Sequence, residues 1–287
     1  MHTFVDPRLG GGRQSACARE DLNELVTLAG KEWIFYKPYA VDVAFLRGTT
    51  ADEDGNVTME REAVFGEMLS MAQATRRAGG IVIVQVARLA ERGALSSRQV
   101  KIPGMLVDLV VVDPGQRQTY LMDYSPAYAG ELRVPLSEIT PLPLDPRKVI
   151  ARRAALELAP DAVCNLGSGV STGIANIAAE EGILERIILT NEQGLIGGAP
   201  SADAGASVNY TSIVDQPYQF DFYDGGGSIW PSSPLPRWTP RGASMSVSLM
   251  VASSAWADLS TSPRTPRRSF SAVRSPPAGW MLSGRTG

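Results

Sequence analysis

Histidine is almost absent from this chain: the single copy is His2, at the extreme start. A Ser-His-Asp triad, a Cys-His pair and the usual His-rich zinc sites are therefore excluded as expectations, and no metal is expected. Covalent chemistry, if any, falls to a carboxylate, serine, lysine or cysteine without imidazole help. Cysteine is scarce too. Cys17 and Cys164 are too few for a disulfide framework, which suits a reducing, cytoplasmic setting. Long apolar runs are missing; the best, around Ile81–Val86 and Leu106–Val112, are too short to span a bilayer. The opening MHTFVDPRLGGG has no apolar core of the signal-peptide kind. Net charge is only -3, which gives no reason to expect nucleic acid or an anionic membrane as partner.

What is present is enough for a core: 287 residues, 44% of them apolar. Residues 1–134 alternate strand-like runs with helical patterns. Val41–Leu46 reads as a strand, Thr49–Asn56 as a turn-rich loop, and Glu60–Arg77 as an amphipathic helix ending at Gly79-Gly80. Ile81–Val86 and Val107–Val112 are β-branched runs of the kind buried in parallel sheets. This alternation predicts an α/β layer fold. Pro135, Pro141, Pro143 and Pro146 then crowd a linker, and Asp145 with Pro146 opens a helix running to about Leu158. Strand Ala162–Leu166, the turn Gly167-Ser168-Gly169, helix Thr172–Glu181 and strand Arg186–Thr190 follow, and the last runs into Asn191-Glu192-Gln193-Gly194. That order is a βαβ unit, in which the glycine turn and Glu192 fall at the carboxyl ends of neighbouring parallel strands, where ligands bind.

Each of these residues has a plain reading beside the chemical one. Glu192 is either a strand-ending acid facing water or a carboxylate held in a site, with Gly194, Gly197 and Gly198 letting backbone approach a ligand. Gly167 and Gly169 either make a tight strand-to-helix turn or aim N–H groups at a ligand. Asn165 either bonds its own turn or donates to a reacting carbonyl.

Taken together, the runs VCNLGSGVSTGIANIAAEEGI, ILTNEQGLIGGAP and DQPYQFDFYDGGG resemble the propionate or acetate CoA-transferase group of the family that uses a glutamate nucleophile. FVDPRLGGG, FYKPYAVDVAFLRGTTADEDGNVTME, GGIVIVQV and KIPGMLVDLVVV agree, so the resemblance runs through residues 3–227. It implies two open, mainly parallel α/β domains, both incomplete: the end of a first domain over 1–140 and the start of a second over 146–227. It also implies that Glu192 is the nucleophile, that Asn165, Gly167 and Gly169 support the site, and that Gly194, Gly197 and Gly198 line the acyl-CoA side. Ser171 stands where the family usually has proline, which leaves that turn less rigid. The implied substrates are a short-chain acyl-CoA and a free carboxylic acid, with coenzyme A as substrate and no permanently bound cofactor. The intact family protein is expected to be a homo-oligomer. A glutamate, with an unperturbed pKa of about 4.3, is ionised near pH 7 and needs no base to attack.

With both domains incomplete, this chain itself is expected to be inactive as a fragment. The alternatives are a non-catalytic partner subunit that supplies Glu192 to a missing half, and a Rossmann-like dinucleotide-binding module. For the latter, G-S-G-V-S-T-G over 167–173 is an imperfect G-x-G-x-x-G.

After Gly227 the resemblance stops. Residues 228–287 hold 14 Ser, 8 Pro and 7 Arg with Asp258 as the single acid, so the tail carries +6 against -9 for the body. Such a composition predicts an aberrant, disordered tail rather than the remaining strands of a sheet. Back-translated with each codon begun one base earlier, Ser228 onward allows LDLAFLA and Ala257–Trp280 allows GGFVDISPNATEVVLGGSFTAGGL. Both strings look like the family after its DGGG run, which points to a one-base deletion near the Gly227–Ser228 codons.

Overall fold

The structure is a computed structural model that describes residues 5–11, 13, 15–166, 170–201 and 205–224, and the backbone of 243–247, 249–253, 268–275 and 279–286. An antiparallel hairpin, β1 (Asn23–Leu28) and β2 (Lys31–Tyr36), precedes β3 (Val43–Arg47). Next come the short β4 (Thr50–Asp52) and β5 (Val57–Thr58), helix α1 (Met68–Arg77), β6 (Ile81–Val86), β7 (Arg88–Ala90), β8 (Val100–Ile102) and β9 (Leu109–Val112). β3, β6 and β9 form a parallel sheet in that order. β7, β4, β5 and β8 form a second, mixed sheet at its carboxyl end. Alternation decides the packing. Ala44, Leu46, Val82, Val84 and Val86 point to one face and are buried, with Ala72 of α1 in the same cluster.

The expected helix over Glu60–Arg77 is shorter than its apolar period suggested, beginning at Met68. Two causes are visible. Glu62 turns its side chain inward to Arg47 and Thr49, and Gly66 sits at φ +57, outside helical space. The C-terminal end is as read, with Gly79 at φ +80.

The proline-rich stretch contains only a 3₁₀ turn, Leu136–Glu138. Asp145 then caps α2 (Pro146–Ala155), accepting from Lys148 N at 2.9 Å with Pro146 in the first turn. β10 (Ala162–Leu166), α3 (Gly173–Glu180) and β11 (Ile188–Thr190) give the expected parallel βαβ order, with Asn165 in register with Thr190. α2 and α3 pack closely because Gly173 has no side chain; a Cβ there would stand 2.8 Å from Leu142 Cδ1 and 3.3 Å from Ala151 Cβ. Their small residues, Ala151, Ala155, Ala175 and Ala178, join Cys164, Leu189, Ile174 and Ile177 in a second core. Leu136, Ile139 and Leu142 of the linker pack on this core, not on the first.

Short strands β12 (Leu195–Ile196), β13 (Ala199–Pro200), β14 (Ser207–Val208) and β15 (Ser212–Ile213) lead to α4 (Gln216–Asp224). Further strands are β16 (Ala243–Val247), β17 (Leu249–Ser253), β18 (Arg268–Ser275) and β19 (Gly279–Thr286). The sheet built on β10 and β11 runs β15-β12-β11-β10-β17, with β17 antiparallel to β10, and β16, β18 and β19 form a separate antiparallel sheet. The expectation of a disordered tail falls in large part on 225–242 and 254–267, which lie outside the described residues.

Candidate active site

The site is built where β11 ends. Residues Asn191–Gly194 form a tight turn, closed by Gly194 N donating to Asn191 O at 3.2 Å, before β12 returns antiparallel beside β11. Glu192 occupies the first central position of this turn. Gly194 is at φ +99, and a Cβ there would collide with Val214 O, so only glycine fits. Asn191 secures the turn with its own side chain: Oδ1 accepts from Leu195 N at 3.1 Å, and Nδ2 donates to Gly205 O and, at 3.3 Å, to Ser207 Oγ. Glu192 itself is half-buried, and its carboxylate makes no hydrogen bond or ion pair among the described residues. The turn is held by the bonds of Asn191 and Gly194, and none of them uses this carboxylate.

Asn165 lies one strand away, in register with Thr190, two residues before Glu192. It is buried, and the amide atom assigned as Oδ1 has no hydrogen-bond partner. Leaving such an atom unpaired costs about 1–3 kcal/mol, so a ligand group that pairs with it gains by the same measure. Gly167 and Gly169 lie outside the described residues. Gly197 and Gly198 follow β12 at φ +82 and +68, and a Cβ on Gly198 would collide with Val208 O. Close backbone packing alone therefore requires glycine at 194 and 198.

Four residues that the sequence reading did not single out complete the site. Thr190, Asn191, Gln219 and Tyr223 are all buried around the end of β11. Gln219 and Tyr223 sit one helical turn apart on α4 and share one hydrogen bond of 2.7 Å. Cys164, one residue before Asn165, is fully buried, and burial pushes its thiol up to about 12, so it is inert. Among the described residues there is no group of three or more His, Cys, Asp or Glu that could hold a metal ion, and no helix is long and apolar enough to cross a membrane.

A sequence model of the family described as coenzyme A transferase matches residues 2–113. The caffeate CoA-transferase of Acetobacterium woodii is 50% identical over 232 residues, which are 79% of this chain and 44% of that protein. The acetate CoA-transferase YdiF of Escherichia coli K12 is 44% identical over 228 residues, 78% of this chain and 43% of that protein. A crystal structure of the acyl-CoA transferase YdiF from E. coli O157:H7, as a thioester complex with CoA, superimposes with a TM-score of 0.71 at 42% identity, covering 79% of this chain and 42% of that one. The chain thus spans a little under half the length of the curated relatives it matches. These matches do not favour the dinucleotide-binding reading. Motif, sequence identity and fold agree that the chain is similar to coenzyme A transferases, with the family match itself lying over residues 2–113.

Proposed function

We propose that the chain carries the nucleophilic half of a CoA-transferase site, with Glu192 as the residue that holds the acyl group and then CoA. The observation that carries this is the position of Glu192: a carboxylate without a partner among the described residues, on a turn held by Asn191 and Gly194, at the carboxyl end of a buried parallel strand. Its carboxylate oxygen attacks the acyl-CoA carbonyl, forming a mixed anhydride and releasing CoA thiolate. The thiolate attacks the glutamyl carbonyl, giving a glutamyl-CoA thioester and the free carboxylate of the donor. A second carboxylic acid reverses both steps and leaves as the new acyl-CoA. Each half-reaction passes through an oxyanion, and one pre-aimed donor is typically worth on the order of 10²–10³ in rate. Asn165 is the candidate donor on the described side of the site, and Gly167 and Gly169 supply backbone N–H candidates. Gly194, Gly197 and Gly198 shape the strand return on the acyl-CoA side. The thioester reported for YdiF is the kind of intermediate this scheme requires.

The substrates in this reading are acyl-CoA and short-chain carboxylates, met in the cytoplasm, with no resident cofactor and with a homo-oligomer as the working assembly. Two relatives, from Bacillus subtilis and E. coli, are named alpha subunits of CoA-transferases and match over 107 and 94 residues, which supports a working assembly of more than one subunit. Incubation with acetyl-CoA, digestion and mass spectrometry test the proposal. A CoA adduct on the Glu192 peptide, absent from Glu192→Ala, is the expected result. No adduct, or an adduct that persists in Glu192→Ala, overturns it.

A further inference from the structure

The DFYDGGG run is part of the family resemblance, yet the chemistry above gives it no task. Its described part ends α4, and there the buried Tyr223 hydroxyl meets three groups. Gln219 Nε2 donates to it at 2.7 Å, Thr190 Oγ1 lies 2.7 Å away, and Asn191 O lies at 3.3 Å. Thr190 Oγ1 also donates to Cys164 O at 3.2 Å. Each hydroxyl has one proton to share among these partners. Tyr223 reaches both Asn191 O and Thr190 Oγ1, and Gln219 donates to Tyr223. A connected set of hydrogen bonds therefore joins α4, through the end of β11, to the neighbouring strand β10. The far end of α4 is tied elsewhere: Gln216 N donates to Gly66 O at 3.0 Å, and Lys101, stacked 3.7 Å over Phe65, faces Asp215 at 3.8 Å.

We infer that Tyr223 is a positioning residue for Glu192: its hydroxyl clamps the end of β11 to β10, so that the Asn191–Gly194 turn presents the carboxylate in one place. This rests on the reading of Glu192 as nucleophile. The geometry explains the residue types. The buried Tyr223 ring carries its hydroxyl from α4 to Thr190, and Gln219, one helical turn earlier, donates to the same hydroxyl. Burial raises the pKa of Tyr223 and the charge of Glu192 adds to this, outweighing the hydrogen bonds with Thr190 and Gln219, so the phenol stays protonated at neutral pH.

The test uses the whole chain with Tyr223→Phe and Thr190→Val, and Tyr218→Phe as control, since Tyr218 is exposed on the same helix. Two measurements are made. The first is the rate of CoA-adduct formation at Glu192 against acetyl-CoA concentration. The second is hydrogen exchange of the Asn191, Gly194 and Leu195 amides, which the turn's own bonds protect. In both variants the limiting adduct rate falls at least about tenfold with the half-saturating acetyl-CoA concentration unchanged, because reacting atoms displaced by about 1 Å cost up to about 10² in rate. The three amides exchange about tenfold faster while those of β6 do not change. Unchanged exchange in both variants overturns the clamp. Uniform acceleration throughout the chain also overturns it, because Tyr223 would then serve stability alone. Should the unaltered chain form no adduct, the nucleophile reading fails, and exchange still decides whether Tyr223 holds the turn.

Discussion

At the scale of single residues, the site is made by contrast between a free carboxylate and a bound one. Glu192 has a turn built around it and no partner among the described residues, whereas Glu62 is buried and paired. Arg47 Nε lies 2.8 Å from Glu62 Oε2, and Thr49 and Gln116 donate to Oε1 at 3.4 and 3.3 Å. Burial raises the pKa of Glu62, and Arg47 offsets this only in part. The sign follows from the direction. A carboxyl raised above its unfolded value of about 4.3 binds protons more readily in the folded chain, so its penalty is absent at low pH and grows as pH rises through the folded value. Removing Arg47 leaves that carboxylate unpaired. Arg47→Met is expected to cost about 3 kcal/mol at pH 7, the low end for a broken buried pair, since Arg47 keeps part of its side chain in water. The loss shrinks near pH 5, where Glu62 takes up a proton more readily. Urea unfolding at the two pH values measures it; an equal loss at both would show that Glu62 does not feel the vacancy as a charge.

At the scale of elements, the turn between β4 and β5 shows how a carboxylate can hold backbone. Asp52 accepts from Asp54 N at 3.0 Å, Asn56 N at 2.9 Å and Asn56 Nδ2 at 3.0 Å. Burial alone would raise its pKa, but these bonds outweigh burial and lower it. Its contribution is therefore full above the unfolded carboxylate value of about 3.9 and is lost as pH falls through the depressed folded value. Asp52→Ala is expected to cost about 1–3 kcal/mol at pH 7 and to flatten the acid side of the stability profile, read from urea midpoints between pH 7 and pH 2.5. The residues of this turn were legible as turn chemistry, but their bonding was not. The same holds elsewhere. The order β10–α3–β11 and the cap at Asp145 could be read directly, because strand runs, glycine turns and an Asp-Pro start are local signals. The false extension of α1 to Glu60 arose because Glu60 and Glu62 fit a helical period while their side chains answer partners on other strands. Tyr223 was invisible for the same reason: Thr190 lies 33 residues away in sequence, and no pattern within α4 announces it.

At the scale of the molecule, the first sheet is finished on one side only. β3, β6 and β9 are parallel, and parallel sheets of this type are covered on both faces. Here α1 covers the face of Ala44, Leu46, Val82 and Val84, while the opposite face presents Val43, Phe45, Ile81, Leu109 and Val111 to solvent, with Phe45 78% exposed. The relatives that the chain matches are more than twice the length of the aligned region, and the described residues leave this apolar face exposed. An apolar face of this kind drives association when nothing covers it. The chain is therefore expected to bind a fluorescent apolar dye and to sediment as more than a monomer at micromolar concentration. Phe45→Glu should lower both signals without changing the circular dichroism spectrum, because Phe45 takes no part in the buried cluster beneath α1. Its cost to folding should stay within about 0.5 kcal/mol, as for other exposed positions. A Phe45→Glu chain with undiminished dye binding and unchanged sedimentation would place the sticky surface elsewhere, with the exposed Leu28, Trp33 and Phe35 of the β1–β2 hairpin as the next surface to change.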